Sequence, residues 1–228
     1  ALRCENAGCP AQIKERMLHF ASRDAMDIEG MGTAIMDQLV DKGLIKDYAD
    51  IYYLKMGDIK KLDRMAEKSA ANLLNAIEKS KSNDLNRLIY ALGIRHVGEH
   101  SAWVLADYFG SISKLSGAGV DELTRIDEIG PAMAESINDF FSNKENLKSL
   151  KRLSETNIKM SQSGIEAKAG GVLEGKTVVI TGTLKNYSRS RAEELVRRLG
   201  GNPSSSVSKN TYFVVAGEEP GSKMDKAK

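Results

Sequence analysis

The chain has 228 residues and a net charge of +2 at pH 7, with 41% apolar and 28% charged residues. That length suits two modest domains, and the composition is that of an ordinary globular protein rather than a fibrous or disordered one. No apolar run reaches the length of a membrane span and no secretory signal opens the chain, so a cytoplasmic setting without a membrane partner is expected. The chain starts at Ala1 rather than Met, which reads as a fragment or a processed product. Nothing in the composition demands more than a monomer.

Cys4 and Cys9 come first in chain order, and they are the chain's two cysteines. A close pair in a reducing setting points to metal rather than to a disulfide. Structural zinc takes four ligands, so the pair reads as half of a site, and zinc binding by this chain alone is expected to be weak or absent. His19 falls in a predicted helix over 11–22, where it reads as a surface or packing residue.

Four segments then repeat one pattern. Aligned on Gly32, Ala66, Gly98 and Gly130, they are spaced by 34, 32 and 32 residues. Four positions before each anchor stands Ile28, Leu62, Ile94 or Ile126, and one before it Met31, Met65, Val97 or Ile129. Four positions after it come Met36, Ala70, Ala102 or Ala134, and seven after it Leu39, Leu73, Leu105 or Ile137. Repeats of this length are short helical units that bury an apolar stripe against their neighbours. The pattern predicts a mainly α array of four helix-hairpin-helix repeats, with helices over 35–42, 68–79, 101–108 and 132–140 following the hairpins. Shorter segments at 47–54, 58–62, 83–92 and 120–125 precede the later turns, and 144–155 forms one more helix.

A sharp turn between helices calls for positive φ or close backbone approach, which glycine supplies. The turn leaves successive N–H groups unpaired at the start of the second helix, and together with the helix dipole these make a site for one phosphate oxygen. Such contacts touch backbone rather than bases, so the expected partner is duplex nucleic acid without sequence preference. The candidate contacts are Gly30, Met31 and Gly32 in the first hairpin, His96, Val97 and Gly98 in the third, and Ile129 and Gly130 in the fourth. The first hairpin has both glycines, the third keeps the second one, and the fourth carries Glu128, whose carboxylate repels phosphate. The second hairpin, Arg64-Met65-Ala66, has neither glycine and reads as structural.

The small polar stretch between 160 and 172 reads as a flexible linker. Beyond it the pattern changes to strand, helix, strand, strand: 176–181, 190–199, 204–207 and 212–216, with Gly221 opening another helix. This is a small, truncated α/β domain over 173–228 with a parallel sheet. Between Leu173 and Tyr212 there are seven Lys and Arg residues against three Glu, which makes either a phosphate footprint or a solvated helix face.

Three stretches resemble the NAD-dependent DNA ligases of bacteria: RMLHFASRDAMDIEGMG over 16–32, GIRHVGE over 93–99 and LEGKTVVITGTL over 173–184. They run in that family's order of zinc finger, helix-hairpin-helix domain and BRCT domain. The resemblance implies that residues 1–22 hold the second half of a four-cysteine zinc finger with its connecting helix, Cys4 and Cys9 being its last two ligands. It implies a helix-hairpin-helix domain over 23–159 seated on the minor groove of nicked duplex DNA. It also implies that Thr181, Gly182 and Lys223 match a phosphate pocket found in some BRCT domains. The same positions have a plainer reading, a tight turn after a strand and a solvated lysine. The second and fourth hairpins depart from the family pattern at Arg64, Ala66 and Glu128.

The family's catalysis needs an adenylated lysine in a Lys-x-Asp-Gly motif and a site for NAD. No such motif occurs in these residues, so NAD and magnesium dependence belong to a catalytic part outside them. The reading is a DNA-gripping ligase part with no catalytic residues of its own. A protein–protein adaptor and the DNA-binding part of a repair nuclease are the alternatives. The nuclease would need a cluster of metal-binding carboxylates. The adaptor would bind with little dependence on salt, whereas phosphate contacts release counterions.

Overall fold

The computed structural model describes residues 10–162, 171–184, 189–219, 221 and 224. The chain divides into two compact units, residues 1–163 and 164–228.

The first unit is helical. It contains α1 (Pro10–Ala21), α2 (Thr33–Asp41), α3 (Tyr48–Tyr53), α4 (Met56–Ile59), α5 (Glu67–Ser80), α6 (Leu85–Ala91), α7 (Glu99–Phe109), α8 (Ile112–Ser116), α9 (Val120–Leu123), α10 (Pro131–Ser142) and α11 (Lys144–Ser154). The helices α2, α5, α7 and α10 each begin directly after one of the four anchors. The sixteen apolar positions of the repeat lie in one core. Met65 alone of them is only partly buried, and Met36, Ala70, Ala102 and Ala134 are completely so. Three of those four are alanine because the helix presses this turn against its neighbours, leaving room for a methyl group and little more.

Polar ties orient the helices around that core. Lys14 on α1 bonds Asp37 and Asp41 on α2 at 3.2 and 2.9 Å. Arg152 on α11 reaches Asp47 at 2.5 Å and Asp50 at 2.6 Å, fastening α11 to the start of α3. The same two carboxylates form the reciprocal cap of α3, Asp47 accepting from the Asp50 amide and Asp50 from the Asp47 amide. Tyr48 donates to the carbonyl of Leu92, and the Tyr52 hydroxyl lies 3.0 Å from that of Ser80; burial pushes both phenols above their ordinary range.

In the second unit β1 (Thr177–Thr181), α12 (Arg189–Arg198), β2 (Asn202–Ser204) and β3 (Thr211–Ala216) form a parallel sheet in the order β2-β1-β3. The central strand buries Val178, Val179 and Ile180, and Val196 of α12 joins Val178 and Ile180 in one apolar cluster. The sheet therefore has the expected parallel form, with β2 placed upstream of the predicted 204–207. Ser204 Oγ accepts from the Ser206 amide and donates to the Ser206 carbonyl, a serine turn that ends the strand. The five-residue α8 is absent from the predicted elements; at that length no period develops, and its signal is the Ser111 side chain that caps it. Leu195 on α12 and Leu199 just after it are exposed at 38% and 41%.

The tight alanine layer yields a stability prediction. Ala70→Val adds volume where none is free and should cost about 1–3 kcal/mol. Urea unfolding followed through Trp103, the single tryptophan of the chain, measures it.

Candidate nucleic-acid interface

The four turns share one backbone. Two residues before each anchor the chain is left-handed: Gly30 at φ 89°, Arg64 at 61°, His96 at 67° and Glu128 at 74°. The next residue is an apolar plug whose amide donates back to the apolar residue three before it, as Met31 to Ile28 and Val97 to Ile94 at 3.2 and 3.0 Å. The anchor itself is extended, with φ between −75° and −87° and ψ near 180°. Left-handed backbone disfavours side chains by about 1–2 kcal/mol. Arg64, His96 and Glu128 adopt it nonetheless, so burial of the adjoining apolar residues is strong enough to impose the turn without glycine.

The helix starts are open. No side chain caps α2, α5, α7 or α10; the short α6 and α9 are likewise uncapped, whereas Asp47, Ser111 and Asn143 cap α3, α8 and α11. Among the described residues, the amides of residues 32–34, 66–68, 98–99, 130 and 132 have no acceptor. A Cβ built on Gly32, Gly98 or Gly130 meets nothing within 4 Å. Neither torsion angle nor internal packing demands glycine there, and Ala66 occupies the same place in the second turn with φ −75°. What glycine leaves is a bare approach to unpaired amides at the positive end of a helix, the geometry of an anion site.

The expected contact residues differ in exposure. Met31, Val97 and Ile129 are buried at 4%, 7% and 3%, and their amides are used within the turn. Their side chains hold the hairpin rather than face a partner; the open amides begin one residue later. The second turn, read from the sequence as structural, has the same backbone as the others. Arg64, Lys60, Lys61 and Lys68 are exposed around it, and Lys60 bonds Glu67 at 3.2 Å. Gly30, Gly32 and Thr33 line a cleft of about 640 Å³ together with Arg23 and with the carboxylates Asp27 and Glu29. His96 and Gly98 are exposed on the third turn and Gly130 on the fourth. Glu128 bonds His100 of the third hairpin through Oε2 and Nε2, a contact across 28 residues of sequence that no local pattern announces.

Residues 87–150 match the helix-hairpin-helix motif family, and residues 168–228 match the BRCA1 C-terminus (BRCT) domain family. The whole chain is 52% identical to part of a DNA ligase from Pelotomaculum thermopropionicum and covers 33% of it. DNA ligases of Carboxydothermus hydrogenoformans and Geobacter metallireducens are also 52% identical over the whole chain, which covers 34% of each. The chain matches the C-terminal part of bacterial DNA ligases. It spans about a third of the length of these relatives.

The candidate positions in the second unit are less open. Gly182 is left-handed at φ 76°, and a Cβ there would stand 2.5 Å from the Glu218 carbonyl oxygen. Its glycine is required by close packing of two backbones. Thr181 is buried and its carbonyl accepts from Gly217, while Lys223 lies outside the described residues. Of the basic cluster, Lys176 sits 4.9 Å from the Tyr212 ring centre, and Arg189 and Arg197 both approach Glu193.

Cys4 and Cys9 also lie outside the described residues. Two thiolates supply half of a four-ligand zinc site, and the described residues contain no group of three metal-binding side chains. His19 is engaged elsewhere, its Nε2 2.8 Å from the Tyr90 carbonyl and its ring edge-on to Tyr90. No step below depends on a metal. Among the described residues no helix is long and apolar enough to cross a membrane.

The two classes of glycine predict opposite outcomes. Gly98→Ala should leave stability within about 0.5 kcal/mol. Gly182→Ala should cost more than about 2 kcal/mol, because strain and a backbone clash add. Amide hydrogen exchange at Val178–Ile180 reads the second effect, and urea unfolding through Trp103 the first.

Proposed function

We propose that this chain is the duplex-gripping part of an NAD-dependent DNA ligase and binds nicked DNA through backbone phosphates without reading sequence. The observation that carries the proposal is the set of four uncapped helix starts with unpaired amides. Each can take one phosphate oxygen, and several on one rigid unit can follow the backbone on both sides of a nick. Contacts of this kind position a duplex but carry no base information. That suits an enzyme that must seal a break wherever it lies in replicating or repaired DNA.

Within this proposal the duties divide as follows. The open amides at residues 32–34, 66–68, 98–99, 130 and 132 hold phosphate. Met31, Met65, Val97 and Ile129 hold the turns. Arg64, Lys68 and Arg95, exposed beside the second and third turns, supply long-range attraction. Sealing itself, with the adenylated lysine, NAD and magnesium, belongs to the remaining part of such an enzyme. Its zinc finger would draw Cys4 and Cys9 into a four-thiolate site.

Fluorescence anisotropy of nicked and intact duplex probes across a salt series tests the proposal. Affinity should be indifferent to sequence, and its logarithm should fall against log salt with a slope of about −0.9 per phosphate contacted. Gly98→Val should weaken binding about tenfold for every probe by covering amides that hydrogen-bond a charged group. A shallow salt response would favour an adaptor that docks on protein.

A further inference from the structure

We infer that Glu128 is a positioning residue for the duplex grip, acting through His100, and is not simply a charge that opposes phosphate. The inference rests on the nucleic-acid reading above and assigns a role inside it. Glu128 occupies the left-handed position of the fourth turn at φ 74°. His100 is the second residue of α7, two beyond Gly98. The bond between its Nε2 and Glu128 Oε2 therefore joins the start of α7 to the turn that precedes α10. The imidazole lies nearly parallel to Trp103, one helical turn on, with 17° between planes and 6.4 Å between centres. One side of the tie is thus held by an aromatic ring on α7 and the other by a fixed backbone turn.

The third and fourth hairpins, which the tie joins, are the ones with fewest open amides. Pro131 stands at the first helical position of the fourth and brings no N–H, so this turn offers two open amides, against three in the first and second turns. Placing a carboxylate beside it weakens its own attraction for a polyanion. The same carboxylate fixes the spacing between the third and fourth helix starts before DNA arrives. Two sites held at a set spacing lose less freedom on binding a stiff duplex than two that must be ordered by it. The two explanations of Glu128 differ in sign: removing a repulsive charge tightens binding, and removing a brace weakens it.

The test compares wild type, Glu128→Ala, Glu128→Gln, His100→Ala and the double alanine variant, with anisotropy of a nicked duplex probe as the readout. Alanine and glutamate face the same backbone cost at a left-handed position, so the turn itself is not altered. Glu128→Ala should weaken binding about two- to fivefold, the range of an exposed bonded pair. Glu128→Gln keeps an acceptor for His100 and should stay within about twofold of wild type on the same scale. His100→Ala should match Glu128→Ala, and the double variant should be no weaker than either. The salt slope should be unchanged in Glu128→Ala, because the carboxylate touches no phosphate, and the urea midpoint read through Trp103 should stay at the wild-type value. Tighter binding by Glu128→Ala, or additive losses in the double variant, would overturn the inference while leaving the duplex reading intact. A wild-type chain that binds no duplex at any salt concentration would overturn the duplex reading and this inference together.

Discussion

The helical unit depends on a three-residue backbone sequence: one left-handed residue, one apolar plug and one extended residue at which a helix begins. The left-handed step reverses the chain, and the plug pays for it by entering the core. Ile28 with Met31, Ile94 with Val97 and Ile126 with Ile129 are buried on either side of the step. The extended residue then starts a helix whose first amides have no acceptor within the described residues. Because the plug supplies the driving force, Arg64, His96 and Glu128 can stand where glycine would be easier.

The same unit also contains helix starts that are capped. Where α3, α8 and α11 begin, Asp47, Ser111 and Asn143 fold back and satisfy the first amides. Where α2, α5, α7 and α10 begin, nothing does. Unsatisfied donors are tolerated at a surface because water reaches them, and they remain ready for a better acceptor. A phosphate oxygen is such an acceptor, with the helix dipole adding to the attraction. Under the duplex-gripping proposal that acceptor is a DNA phosphate, and the bare glycines at 32, 98 and 130 leave room for it.

Much of this was legible in the sequence, because a core that repeats writes itself as spacing. The offsets around Gly32, Ala66, Gly98 and Gly130 identify residues that the structure buries together. The parallel sheet was readable too, since Val178, Val179 and Ile180 form an apolar β-branched run. Spacing does not say which of two glycines bears the unusual torsion. Gly30 and Gly32 look alike as letters, yet only Gly30 is left-handed. Nor can it show that Arg64 adopts that torsion, since the cause is Leu62 and Met65 packing into a core built by distant helices. The His100–Glu128 bond and the Arg152 bonds to Asp47 and Asp50 are tertiary contacts with no local pattern to betray them.

The claim at the centre of this account is that phosphate is held by backbone amides at the hairpin helix starts. Amide chemical-shift changes of the ¹⁵N-labelled chain, titrated with a nicked duplex, test it residue by residue. The account predicts that the largest shifts fall on residues 32–34, 66–68, 98–99, 130 and 132, and that the capped starts of α3, α8 and α11 stay still. Shifts gathered on α11 or on the second unit, with the hairpin amides unmoved, would contradict it.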